Sequence, residues 1–189
     1  MEKPKIETGS LLDRLGYSYY FFDQPEEAPE FADKSFEEII PELLKGSTKK
    51  TMELVGKKLY KHQLESLQAL REGSNIILKS GTGSGKTEAW FLYTAEKKIK
   101  TLSIYPTLAL AYDQLNRLSQ YCLDLNMKIM ILDAARKQEL ISRQGLRNVK
   151  RMVSESDLVV TNPAFLLNEV KKTALQGNGL LSSFFQKMG

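Results

Sequence analysis

The residues best suited to chemistry sit in one short run, SGTGSGKTEAW, from Ser80 to Trp90. Gly81, Gly83 and Gly85 lack the Cβ atoms that would hold an anion away from the backbone, so successive N–H groups can turn inward as an anion nest. Lys86 puts an ammonium group at the end of that loop, within reach of the outer phosphates of a nucleoside triphosphate, and Thr87 offers a hydroxyl oxygen suited to Mg2+. Ser80, Thr82 and Ser84 fill the other positions with small polar side chains. Loops of this kind usually begin with glycine where this chain has Ser80, but a small residue still fits. Residues 80–87 are therefore the candidate ATP site, with Thr87 as the candidate ligand of Mg2+. The alternative is a glycine-rich turn with an unrelated lysine.

Such a loop works only between a strand and a helix, because the helix N-terminus adds partial positive charge where the phosphates sit. The flanking sequence predicts that context. NIILKS before the loop is a short apolar run that reads as a strand, and KTEAWFLYTAEKK after it has helical spacing. Upstream, YKHQLESLQALREG predicts a helix ending at Gly73. Downstream come a strand in TLSIYP, a helix in LALAYDQLNRLSQYCLDL and a strand in KIMILD. A helix through RKQELISRQGLRNVKRMVSES, a strand in DLVVTNP, and helices in AFLLNEVKK and NGLLSSFFQKMG complete the series. Apolar strands alternating with helices predict an α/β domain with a parallel sheet flanked by helices.

The first 50 residues read differently. Tyr17 and Tyr19–Phe22 form an aromatic cluster, followed by an acidic, proline-bearing stretch. The cluster could stack nucleic-acid bases, although such runs more often serve as core or as a domain interface. SFEEIIPELLKG predicts a short helix with Ser35 as N-cap and Glu38 completing a capping box. The expected division is an N-terminal accessory segment, 1–50, and a main domain, 51–189.

Composition narrows the choices. The single cysteine, Cys122, allows no internal disulfide, and with His62 as the single histidine no zinc site can be assembled. A net charge of +4 tolerates a polyanionic partner without requiring one. No apolar run approaches the roughly 18 residues of a membrane span, so no membrane partner is expected. MEKPKIETGS has no apolar core after its lysines, and a cytoplasmic location (nuclear in a eukaryote) is the expectation.

The motifs together resemble superfamily 2 helicases of the DExH type. SGTGSGKTEA is similar to their motif I, LYKHQ to their Q-motif region, YPTLALAYDQ to motif Ia and LVVTNPAFLL to motif Ib. The resemblance runs roughly from Pro25 to Lys171. It is nearest to RecQ-like repair helicases of the YxHQ type and to the helicase part of CRISPR-associated effector helicases. It implies a RecA-like P-loop fold, incomplete at its C-terminus, that uses ATP with Mg2+. By the same resemblance Gln63 reads the adenine edge and Tyr60 packs the base, while Thr107 and Thr161 hold the backbone of a nucleic-acid strand, expected to be single-stranded DNA. On the residues alone, Gln63 could merely cap its helix, and either threonine could merely cap the helix that follows it.

Hydrolysis also needs an acidic pair to organise metal and water. KIMILD, ending at Asp133, is the one apolar strand that offers an aspartate, and two alanines follow it. Asp133 either holds Mg2+, as in a small P-loop phosphotransferase, or caps the helix behind it. The resemblance places the acidic motif one strand beyond TNP and a second motor domain after that. The expectation is a portion that binds ATP and nucleic acid but does not hydrolyse or unwind alone. The alternatives are a phosphotransferase using Asp133, or a catalytically inactive binding or regulatory module.

Overall fold

The structure is a computed structural model that describes residues 8–18, 28–81, 83–177 and 179–188. After a first helix, α1 (Thr8–Arg14), strand β1 (Phe31–Ser35) runs into α2 (Phe36–Ile39). The predicted single helix over SFEEIIPELLKG is broken, because Pro41 opens a separate 3-10 turn, Pro41–Lys45. The Glu38 carboxylate accepts the Ser35 N–H at 2.6 Å, as the capping box requires. Next come α3 (Lys49–Leu54), β2 (Lys58–Tyr60) and α4 (Lys61–Arg71). β2 pairs antiparallel with β1.

Beyond the loop, α5 (Lys86–Lys97), β3 (Thr101–Ile104), α6 (Leu108–Asp124) and β4 (Ile129–Leu132) follow in order. They lead to α7 (Ala134–Gln144), α8 (Leu146–Glu155), β5 (Leu158–Thr161), α9 (Pro163–Gln176) and α10 (Ser182–Phe185). The long helix predicted through 136–156 is two helices, since Gly145 adopts φ +78, which an L-residue rarely takes. Strands β3, β5 and β4 form a parallel sheet in that spatial order. The α/β architecture read from the sequence is the one observed.

The central strand β5 is buried along its whole length and alternates between the two faces of the sheet. Leu158 and Val160 join a core with Phe91 and Leu92 of α5 and Leu118 of α6, while Val159 joins Leu140, Val153 and Phe184 on the other side. Ala32, Phe36, Ile39 and Leu43 belong to the first of these cores, so packing is continuous across residue 50. Asp124 at the end of α6 reinforces that continuity by accepting the Ser47 and Thr48 N–H groups at 3.0 Å each and the Thr48 hydroxyl at 2.6 Å. Tyr19–Phe22 of the aromatic cluster lie outside the described residues.

One predicted strand needs correction. Residues 75–80 alternate between inward and outward positions as a strand would, yet no described strand forms a ladder with them and Ile77 is fully exposed. Hydrophobic alternation reports which face is buried, not whether a neighbouring strand is present to complete the ladder.

Candidate nucleotide and nucleic-acid site

In the parallel register Ile104, Thr161 and Leu132 lie level, so the next residues, Tyr105, Asn162 and Asp133, stand side by side at the carboxyl edge of the sheet. Open parallel sheets bind their ligands at this edge. Each strand turns there into a helix, and each turn carries a side-chain cap. Thr107 accepts the Leu110 N–H at 3.3 Å, Asp133 the Arg136 N–H at 2.9 Å and Asn162 the Phe165 N–H at 2.8 Å.

The glycine loop is capped differently. Gly85 is the N-cap of α5 at φ +72, Gly83 also has positive φ, and no side chain accepts from the first turn of the helix. The Lys86 ammonium donates to the carbonyl of Ser80 at 3.0 Å and to that of Gly81, and it meets no carboxylate among the described residues. A cation resting only on loop carbonyls can exchange them for phosphate oxygens, so the loop suits a triphosphate. The Ser80 and Ser84 hydroxyls touch across the loop. Thr82 lies outside the described residues.

Two residues of α4 fix the loop from outside. His62 Nε2 meets the Ser84 carbonyl at 2.9 Å, and Gln63 Nε2 donates to the Gly85 carbonyl at 2.9 Å. Gln63 Oε1 accepts the Tyr60 N–H at 2.9 Å, so both ends of a buried amide are engaged within the protein. The cap expected as its alternative role is therefore present, with the loop contact added. Tyr60 stacks between Phe31 and His62, at ring-centroid distances of 5.1 and 5.5 Å. A cleft of about 480 Å³ opens here, lined by Tyr60, Gln63, Gly83, Gly85, Glu88 and Arg117 among others.

Thr87 Oγ1 donates to Gln114 Oε1 of α6 at 2.9 Å, which leaves its oxygen lone pairs for a cation. One residue further, buried Glu88 pairs with Arg117 and accepts the Tyr121 hydroxyl at 3.2 Å through Oε1, while Oε2 has no partner. Burial and that carboxylate push the Tyr121 phenol up to about 12. The Tyr105 hydroxyl is likewise buried without a hydrogen-bond partner.

The two candidate nucleic-acid threonines part company. Thr107 is exposed, and its hydroxyl keeps a proton to donate after accepting from Leu110. Thr161 is fully buried and its hydroxyl donates to the Leu132 carbonyl at 2.6 Å. That side chain ties β5 to β4 and is closed off from solvent. Asp133 is almost fully buried; besides capping α7 it accepts the Tyr112 hydroxyl at 3.0 Å. Its two oxygens are thus both engaged, as the capping alternative requires and the phosphotransferase alternative does not.

Sequence reading overlooked Gln114, Tyr105 and His62 as site residues, although each lies inside a quoted motif. Motif spacing marks a segment, whereas the polar partner of Thr87 depends on how α6 packs against α5. No helix among the described residues is long and apolar enough to cross a membrane.

Residues 60–183 match the DEAD/DEAH box helicase family. Over 116 residues, 59% of this chain, the sequence is 28% identical to the ATP-dependent DNA helicase Hel308 of Thermoplasma acidophilum, and the match covers 17% of that protein. The fold is similar to that of a hypothetical ATP-dependent RNA helicase from Sulfolobus tokodaii, with TM-score 0.54 and 19% identity over 74% of this chain and 38% of that one. It is also similar to the DUF1998 helicase MrfA bound to DNA and AMPPNP, with TM-score 0.64 and 21% identity over 96% of this chain and 25% of that one. The chain spans well under half the length of each of these relatives. At such identities the solved structures show the fold, and the family match, which covers most of the chain, decides membership. By its glycine loop, its parallel sheet and that match, the chain belongs to the DEAD/DEAH box helicase family as a superfamily 2 RecA-like domain.

Proposed function

We propose that this chain is the ATP- and nucleic-acid-binding part of an ATP-dependent DNA helicase. The triphosphate would lie in residues 80–87 with Lys86 on its outer phosphates. Mg2+ would be held by Thr87 and would neutralise charge on those phosphates. The base would enter the cleft beside Tyr60, and Gln63 would hold the loop in shape whether or not it also touches adenine. Thr107 and the backbone of the turn at Thr161 and Asn162 would contact the phosphates of single-stranded DNA, which fixes position along the strand without reading sequence. The observation that carries this reading is the Lys86 ammonium, held among the described residues only by the loop carbonyls of Ser80 and Gly81.

Binding is the activity proposed for these 189 residues; turnover and unwinding would require the acidic motif and the second motor domain that helicases of this type use. The burial of Asp133 and its hydrogen bonds to the first turn of α7 and to Tyr112 support that division, because they give the strand-end aspartate a capping role. The test is a titration with a fluorescent ATP analogue and Mg2+. Lys86→Ala should lose affinity by two orders of magnitude or more, roughly what losing a charge-assisted phosphate contact in a preformed site entails, with an unchanged circular dichroism spectrum. Equal affinity in wild type and variant would remove the site from the loop.

A further inference from the structure

The Tyr105 hydroxyl is a polar group that the fold buries and leaves unpaired. Tyr105 follows β3 directly, and its N–H donates to the Thr161 carbonyl at 2.9 Å, so the ladder to β5 continues through it and fixes its backbone. Ser103 lies two residues earlier on the same face, as strand alternation requires. The phenol points toward the hydroxyls of Ser103 and Thr87, with Glu88 and Arg117 close enough to influence it electrostatically. Despite those neighbours it makes no hydrogen bond of ordinary distance and angle to any described residue. A tyrosine phenol is protonated at neutral pH and so offers a donor there.

Buried tyrosine hydroxyls normally find a partner, and an exception persists where something outside the free protein supplies one. Neither neighbour fills the role here. Neither hydroxyl comes into hydrogen-bonding geometry with the phenol, and Thr87, its own proton given to Gln114, keeps oxygen lone pairs suited to a cation. What would sit beside Thr87 is the outer end of a triphosphate, which offers oxygens that accept hydrogen bonds and no protons that compete.

We propose that Tyr105 is a ligand-contacting residue of the nucleotide site, its hydroxyl donating to an outer phosphate oxygen of the triphosphate seated at Lys86 and Thr87. The assignment rests on the loop binding a triphosphate. It adds a contact from the strand that carries motif Ia, so that one rigid segment would touch the nucleotide through Tyr105 and meet nucleic acid two residues later at Thr107. The site then senses phosphate from two sides, the loop and the sheet edge. Gln114 has a supporting role, holding the Thr87 proton away from the cation.

Tyr105→Phe removes the hydroxyl alone. Binding of fluorescent ATP and ADP analogues with Mg2+, and thermal unfolding without nucleotide, would be measured on the 189-residue chain and on the variant. The expected result is a variant that melts at the wild-type temperature or above, because an unpaired buried hydroxyl has been removed. It should bind the ATP analogue about tenfold more weakly, as befits one hydrogen bond to a charged group, with a smaller change for the ADP analogue. Unchanged ATP affinity would overturn the assignment. So would an equal loss for both nucleotides with a lowered melting temperature, which would make Tyr105 a packing residue. Wild-type chain that fails to bind either analogue would strike the nucleotide reading itself, a result visible before any variant is compared.

Discussion

Two strand-to-helix turns in this molecule look alike in sequence and behave oppositely. NIILKS running into the glycine loop and KIMILD running into Asp133 are both short apolar runs that end in polar residues before a helix. At Asp133 each oxygen is already engaged, one by the Arg136 N–H that opens α7 and one by Tyr112. At the loop no side chain caps α5, and the nearest cation rests on carbonyls it can leave. A cap is a polar group satisfied by its own fold; a binding site is a set of polar groups satisfied only provisionally. The contrast separates a residue that stabilises the protein from one that receives a ligand, where residue type alone would not.

Substitution at Gly85 should sharpen the contrast most. A Cβ there would fall 2.3 Å from Gln63 Nε2, on a backbone at φ +72. Gly85→Ala should abolish nucleotide binding in the fluorescent titration and lower stability by about 1–3 kcal/mol in urea unfolding, since a strained conformation and a displaced buried amide add together. Near-normal affinity would show that the loop does not depend on its bracing by α4.

Asp133→Ala tests the other turn. It removes the cap of α7 and leaves the Tyr112 hydroxyl without its acceptor, so stability should drop by about 1–2 kcal/mol. Nucleotide affinity should stay within error of wild type. A large loss of Mg2+-dependent affinity with an intact fold would break the comparison and restore Asp133 as a metal ligand.

The smallest effect concerns another committed carboxylate, Asp124. Burial alone would raise its carboxyl, but the Ser47 N–H, the hydroxyls of Thr48 and Thr51 and the Thr48 N–H together hold it well below the usual carboxylate range. A depressed folded-state value means its contribution is complete above the unfolded pKa, roughly 4. The contribution is lost as pH falls below that value toward the folded one. Asp124→Asn should therefore be less stable than wild type at pH 7, with a gap that narrows on acidification, in urea titrations between pH 7 and 3. A gap independent of pH would assign the effect to geometry rather than charge.

Much of this was legible in the sequence, for physical reasons. Glycines before Lys86 and Thr87 permit the positive-φ backbone that an anion nest requires, and the continuous apolar run LVV marks a strand buried on both faces. What depends on tertiary partners was not legible. Thr161 stands at a strand end where a contact to nucleic acid or a helix cap was expected, but its hydroxyl donates to the Leu132 carbonyl. Gln63 was expected to have one of two roles, and the packing of α4 against the loop gives it two hydrogen bonds at once. The predicted helix over 136–156 kept its apolar spacing through Gly145, and only the backbone conformation there divides it. Residues 75–80 show the right alternation without the neighbour that would complete it.

That last segment determines how the phosphate loop is mounted. Because the stretch leading into it makes no ladder with a described strand, the sheet does not hold the loop on its incoming side. The firm attachments are His62 to Ser84 and Gln63 to Gly85, both from the first turn of α4. The loop therefore rides on that helix like a tool on an arm. A small tilt of α4 against the sheet would carry the phosphate seat toward or away from Tyr105 and Thr87's partner Gln114. A displacement of β2, which leads straight into α4, would thus reach the phosphate seat through His62 and Gln63 as well as the core through Leu59 and Leu67.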